Sequence, residues 1–146
     1  MILGIILLVI ALFFIVVGTL AWTGHLPGNS AVGIRVPEVR KSREIWAAAH
    51  KVAGPMWVVG GVALVFGALM AFRADGWLWL GVALAVVAAL FFIGGGANIG
   101  AKTAASLDVR QRMEEEKASE PAPASKPSVD LDALRRAAGE VDKNQG

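Results

Sequence analysis

Side chains able to bind or react are concentrated in residues 33–54, between two apolar segments. Arg35 lies in a Gly-Ile-Arg-Val-Pro sequence, where a guanidinium can hold a lipid phosphate or a carboxylate through two parallel hydrogen bonds. The same arginine can instead serve only to set the direction of membrane insertion, and both interpretations stay open. Recognition of an anionic group is therefore one candidate chemistry of this stretch.

Trp46 and His50 are four residues apart, so on a helix their side chains would meet. A metal site needs more His, Cys or carboxylate ligands than this lone histidine offers, and the chain has no Cys. No nucleophile, base and orienting group occur together as catalysis requires. We therefore expect a structural or recognition role for His50, and no enzyme activity, metal or cofactor.

Three apolar segments must position this stretch, and they are residues 1–22, 53–72 and 77–99. Each is long enough to cross the roughly 30 Å hydrocarbon core of a membrane as a helix. A cleaved signal peptide is the alternative for the first segment, but no basic residue precedes Arg35 and the apolar run is too long. The sequence predicts an all-α integral membrane protein with three transmembrane helices, in which Pro55 opens the second span and residues 73–76 form a tight turn.

Basic residues indicate the direction of insertion. None precedes the first span, five lie in the loop 23–52, one lies in the turn 73–76, and eight lie in the tail. The positive-inside rule then places the loop and tail in the cytoplasm and the N-terminus outside the inner (plasma) membrane. The spans contain no ionisable residue, which argues against a transporter or channel acting through them alone.

Small residues four apart occur in the second and third spans, where they allow helix backbones to approach closely. They either pack the three helices together or form a face for a partner membrane protein, and the two are compatible. The pairs are Gly67 with Ala71, Gly81 with Ala85, and Gly96 with Gly100.

The loop predicts a short amphipathic helix capped by Ser42, with its apolar residues between Ile45 and Ala53. Such a helix suits the cytoplasmic interface beside anionic head groups, which makes membrane lipids a predicted partner. The net charge of +2 does not suggest nucleic acid.

Several residues of this region resemble the signature of the SdpI family of bacterial membrane proteins, which lies between the first and second of three spans. The matching positions are Asn29, Gly33-Ile-Arg35, Pro37, the Lys41-Ser-Arg-Glu44 run, Trp46, His50-Lys51 and Gly54. The family's named member is an immunity protein that protects a sporulating cell from its own secreted toxic peptide. It also relays the toxin's presence by holding a repressor at the membrane.

The resemblance implies the same three-span module and a non-enzymatic protein that binds a peptide or protein at the membrane. It implies recognition of a partner or lipid by Asn29, Gly33, Arg35, Pro37, Trp46, His50 and Gly54. Val36 stands where Thr is usual and Arg43 where an acid is common, and the named immunity protein is longer. The alternatives are an accessory subunit of a larger membrane complex and, with less support, a small transporter or lipid-handling protein.

The chain is predicted to divide into a membrane module, residues 1–100, and a partly disordered cytoplasmic tail, residues 101–146. Within the tail a helix over 107–117 extends from the third span, and a Pro/Ala linker occupies 118–127. An amphipathic helix over 128–141 is too short to be stable alone in water, so it either docks on a partner or on lipid, or frays.

Overall fold

A computed structural model describes residues 1–28, 32–119 and Arg135. In this part of the chain all regular structure is helical, with no strand. Each of the three α-helices is long and apolar enough to cross a membrane, which confirms the all-helical prediction and makes the chain a multi-pass membrane protein. The helices are α1 (Ile2–Trp22), a 3₁₀ helix (Glu38–Arg40), α2 (Arg43–Arg73) and α3 (Leu78–Ser119).

The chain divides into two units, Met1–Arg112 and Met113–Gly146. The first contains α1, the loop, α2 and most of α3. In the second, the described residues are 113–119, which complete α3, and Arg135. The predicted helix 107–117 is therefore continuous with the third span, whereas the predicted helix 128–141 lies outside the described residues except for Arg135.

Helix α2 packs along α1, and glycines bring the two backbones together. A Cβ atom added to Gly54 would lie 2.5 Å from the backbone nitrogen of Trp22, and one added to Gly61 would lie 2.9 Å from the carbonyl oxygen of Ala11. Gly18 of α1 is equally close to the backbone of Val58. Residues later in α2 contact residues earlier in α1, so the two helices are antiparallel. Small residues line the interface between them.

A second seam of glycines joins α2 to α3. A Cβ on Gly60 would meet the Ile93 side chain at 2.7 Å, and one on Gly67 would meet Ala85 at 3.0 Å. The indole N–H of Trp57 donates a hydrogen bond of 3.2 Å to the backbone carbonyl of Ile93. The small residues of these spans therefore pack the chain's own helices, and α2 is the central helix.

The hairpin between α2 and α3 turns where the sequence predicts it. Helix α2 ends at Arg73, and α3 begins at Leu78. Gly76 has a φ of 52°, a left-handed conformation that glycine adopts without steric cost. The backbone N–H of Leu78 donates to the carbonyl of Asp75 at 3.1 Å, which closes the turn.

The beginning of α2 differs from the prediction. Ser42 caps the helix as expected, because its hydroxyl accepts the backbone N–H of Ile45 at 3.1 Å. The helix then continues from Arg43 into the second span, so there is no separate interfacial helix and Pro55 lies inside α2 instead of opening it. The physical reason is packing, since the apolar face predicted for lipid is buried against the loop and α3.

Two clusters of buried apolar side chains form the core. One lies toward the α2–α3 turn and includes Leu7, Leu64 and Val82. The other lies where the loop folds over the helices, and its members come from all three helices and the loop. The loop therefore belongs to the core, and the candidate site rests on this second cluster, which comprises Val17, Ala21, Ile34, Val39, Ile45, Trp46, Ala49, Ala53, Trp57 and Ala104.

Candidate functional site

His50 holds the loop to the first turns of α2. Its Nε2 accepts the backbone N–H of Ile34 at 2.9 Å, and its Nδ1 lies 2.8 Å from the backbone carbonyl of Trp46. Because Nε2 accepts a hydrogen bond, the proton of the neutral ring is on Nδ1, which donates to that carbonyl. Both ring nitrogens are thus used within the protein, and the imidazole acts as a buried clip.

The rings around His50 explain why Gly33 is glycine. Trp46 stacks on the imidazole with ring centroids 4.0 Å apart, and Trp57 meets it edge-on at 5.8 Å. Gly33 has a φ of 119°, and a Cβ there would collide with Nε2 of His50 and lie 3.0 Å from the Trp46 ring. Close approach and positive φ together therefore require glycine at this position.

Three of the predicted site residues, Gly33, Trp46 and His50, thus lie together. They are buried or nearly so, with 1% of His50 and 7% of Trp46 exposed. Their shared role is to fix the loop, which agrees with the structural alternative for His50.

The other predicted site residues lie apart from this cluster. The side chains of Arg35 and Pro37 are exposed, and Pro37 caps the 3₁₀ helix. Gly54 lies at the crossing of α1 and α2. Asn29 lies outside the described residues.

A second anchor joins the loop to α3 through a carboxylate that the sequence analysis did not single out. Asp108 is 8% exposed, and its Oδ2 accepts a hydrogen bond from Lys41 Nζ at 2.7 Å and forms an ion pair with Arg112, whose Nε lies 3.2 Å away. The hydrogen bond from Lys41 lowers the pKa of the Asp108 carboxyl. Burial opposes this effect more weakly, and the charge of Arg112 adds to the lowering. Only the spacing of Asp108 and Arg112 hinted at this ion pair, since the partner from the loop is distant in sequence.

An open pocket of about 600 Å³ lies between the two sides of the loop. Pro27 and Gly28 form one wall, and Val39 and Trp46 form part of the other. Arg40, Ser42 and Arg43 also line it, so the guanidinium groups at the pocket differ from Arg35, which the sequence analysis favoured.

The arrangement is suited to recognition. Among residues 1–28, 32–119 and Arg135, no group of three His, Cys, Asp or Glu side chains could hold a metal ion. The exposed charged side chains over residues 32–43 are cationic, namely Arg35, Arg40, Lys41 and Arg43, while Glu38 is half-buried and Glu44 is exposed beside them. A fixed loop with exposed guanidinium groups can bind carboxylates or phosphates.

Comparison with known proteins identifies this region. The model of the SdpI/YfhL protein family matches residues 25–95, which include the loop, α2 and the first part of α3. No curated protein and no solved structure matched the sequence. The resemblance inferred from the loop residues is thereby confirmed: the loop and the helical hairpin of this chain match the SdpI/YfhL protein family.

Proposed function

We propose that this chain is a non-enzymatic membrane interaction protein that binds a peptide or protein at the membrane through the outer surface of its loop. The observation that carries the proposal is the set of contacts that fixes the loop to α2. His50 accepts the backbone N–H of Ile34, and the stacked rings of His50 and Trp46 lie against Gly33. The next side chain, Arg35, is exposed. The loop is built as part of the core, yet it presents charged groups outward.

Such a surface suits binding because it is ordered before the partner arrives. Ordering a loop on binding costs conformational entropy, and a preformed loop avoids that cost. The buried Ile34 and Val39 and the Lys41–Asp108 ion pair fix the loop at three further points. Loop residues that these contacts leave exposed, above all Arg35 and Pro37, are then the ones that select the partner.

The family supports an immunity or signalling role for this binding. The SdpI-type immunity protein acts on a secreted toxic peptide and on a repressor held at the membrane, and both are macromolecular partners. The spans of this chain contain no ionisable side chain that would form an ion path. Binding at the loop, on the side predicted to be cytoplasmic, therefore explains more of the chain than transport does.

Site-specific photo-crosslinking in the native cell tests this proposal. A photoreactive residue at Pro37 is expected to capture a defined partner, and one at Asp75, in the turn at the other end of α2, is not. Arg35→Ala in the Pro37 probe protein should abolish the crosslink without changing the amount of protein in the membrane. Equal capture from both positions, or a crosslink unaffected by Arg35→Ala, would refute the loop as the binding surface.

The accessory-subunit alternative has one observation in its favour. Only 11% of the apolar window of α3 is buried within this chain, against 39% of that of α2, so α3 leaves a large apolar face for lipid or a partner helix. Purification in mild detergent separates the two functions. A subunit would bring a stoichiometric membrane protein with it even when Arg35 is Ala, whereas a loop-bound partner would be lost.

A further inference from the structure

We propose that the open pocket between the two sides of the loop binds the phosphate of an anionic membrane lipid; it is lined by Pro27, Gly28, Val39, Arg40, Ser42, Arg43 and Trp46. This site is distinct from the exposed face around Arg35, and it does not depend on the proposed protein partner. Arg40 and Arg43 supply two guanidinium groups at the pocket. Within the described part of the chain, neither is in an ion pair, because the ion pairs there involve Lys41, Arg112 and Asp108.

The pocket lies outside the hydrocarbon core, at the end of the molecule where α2 extends past α1. Gly54 packs against Trp22, the last residue of α1, so the part of α2 that precedes Gly54 extends beyond the end of α1. Helix α2 has 31 residues and is therefore about 16 Å longer than the hydrocarbon core is thick. Trp22 is half exposed, as indoles at the membrane interface commonly are.

The lining of the pocket fits an amphipathic ligand. Val39, Pro27 and the Trp46 ring give it apolar walls, and the arginines give it a cationic edge. The pocket also lies at the N-terminus of α2, where Ser42 caps the helix and the helix dipole favours an anion.

An unsatisfied donor provides an independent reason to expect a ligand. The indole Nε1–H of Trp46 is buried and has no hydrogen-bond partner among the described residues. A buried donor without an acceptor carries a desolvation cost that native proteins seldom leave uncompensated. Trp46 lines the pocket, although its Nε1 is closed to solvent, so a phosphate or glycerol oxygen bound there would become its acceptor once the indole turns toward the ligand.

Lipid titration of the full-length protein in detergent tests the assignment. Phosphatidylglycerol, phosphatidylcholine and inorganic phosphate are added separately, and the midpoint of thermal unfolding is followed. Phosphatidylglycerol should raise the midpoint more than phosphatidylcholine does, and phosphate alone should have little effect. Arg40→Gln with Arg43→Gln should weaken phosphatidylglycerol binding by roughly tenfold.

The control variant also removes two positive charges, but from residues outside the pocket at the same end of the molecule. Lys51→Gln with Lys102→Gln neutralises two exposed lysines that do not line the pocket, and it should bind phosphatidylglycerol as the unmodified protein does. Equal loss in both double variants would show general surface attraction and overturn the site. An equal response to inorganic phosphate, or no preference for phosphatidylglycerol, would overturn the lipid assignment. If the double arginine variant does not fold, Arg40→Gln and Arg43→Gln are measured singly against the same criteria.

Discussion

The backbone N–H of Ile34 donates a hydrogen bond to Nε2 of His50, although the two residues are sixteen positions apart. This bond joins the loop to α2 at the point where Trp46 covers the imidazole. It accounts for a buried histidine of α2 that has neither metal ligands nor a catalytic partner around it within the described residues. The motif residues Gly33, Trp46 and His50 therefore act as the support of the candidate surface.

Gly33→Ala should destabilise the protein by about 1–3 kcal/mol, because the position combines positive φ with contact to His50. Gly24→Ala is the matched control, since Gly24 has a φ of 76° but nothing within 4 Å of an added Cβ. The control carries only the backbone strain, so its loss of stability should be clearly smaller. Thermal unfolding in detergent measures both, and equal losses would show that the contact with His50 contributes nothing.

His50→Phe should lower stability although it preserves a ring that can stack on Trp46. The Ile34 N–H would be left buried without an acceptor, which costs about 1–3 kcal/mol. His25→Phe is the control, because His25 is exposed in the loop. A His50→Phe protein as stable as the His25→Phe protein would contradict the role of the histidine as a hydrogen-bonded clip.

Asp108→Asn should loosen the loop at neutral pH, with an effect that disappears in acid. The pKa of Asp108 is lowered in the folded protein by the hydrogen bond from Lys41, so the carboxylate contributes stability above its ordinary pKa of 3.8. That contribution is lost as the pH falls through the lower pKa of the folded state. The difference in unfolding midpoint between the unmodified protein and Asp108→Asn should therefore be present at pH 7 and shrink below about pH 3.8.

A charge exchange separates this ion pair from a general effect of charge. Lys41→Asp alone should destabilise the loop, because it places two carboxylates together beside Arg112. Adding Asp108→Lys restores an opposite pair and should recover part of the loss. A double variant no more stable than the sum of the two single changes would indicate that Lys41 and Asp108 do not interact.

The sequence predicted the elements whose signals are local. Long apolar runs identified the three helices, Ser42 identified the beginning of α2, and residues 73–76 identified the turn. The small-residue pairs pointed correctly to close helix packing, although Gly54, Gly60 and Gly61 carry much of it.

The parts that sequence reasoning missed depend on tertiary contacts. The apolar face over Ile45–Ala53 was assigned to lipid, because the sequence does not show that Ile34, Val39 and Ala104 cover it. Burial of this face is what makes α2 continuous through Pro55. Asp108 was placed only in a helix that extends from the third span, because its partner Lys41 precedes it by 67 positions and nothing local in the sequence joins the two.

The direction of insertion stays a prediction, and the absence of cysteine makes it simple to test. Glu44→Cys and Asp75→Cys each introduce one exposed thiol, at opposite ends of α2. A membrane-impermeant maleimide applied to intact cells should label Cys at 75 and should label Cys at 44 only after permeabilisation. The reverse pattern would place the loop outside the cell and would move both proposed binding sites to that side.

Gly54 provides the sharpest test of which motif residues support the fold and which bind a partner. An added Cβ would lie 2.5 Å from the nitrogen of Trp22 and 2.7 Å from the carbonyl oxygen of Gly18, and backbone atoms cannot move aside as side chains do. Gly54→Ala should therefore push α1 from α2, at a cost of about 1–3 kcal/mol. Alanine recovers about 1 kcal/mol in helix propensity, so the net loss of stability should be up to about 2 kcal/mol.

Gly94→Ala is the matched control, because Gly94 is also helical and has no atom within 4 Å of an added Cβ. It gains the helix propensity without the collision, so its unfolding midpoint should rise or stay unchanged while that of Gly54→Ala falls. Opposite signs in the two variants would assign Gly54 to helix packing. If Gly54→Ala instead kept full stability but lost the Pro37 crosslink, the residue would belong to partner recognition, as the family resemblance first implied.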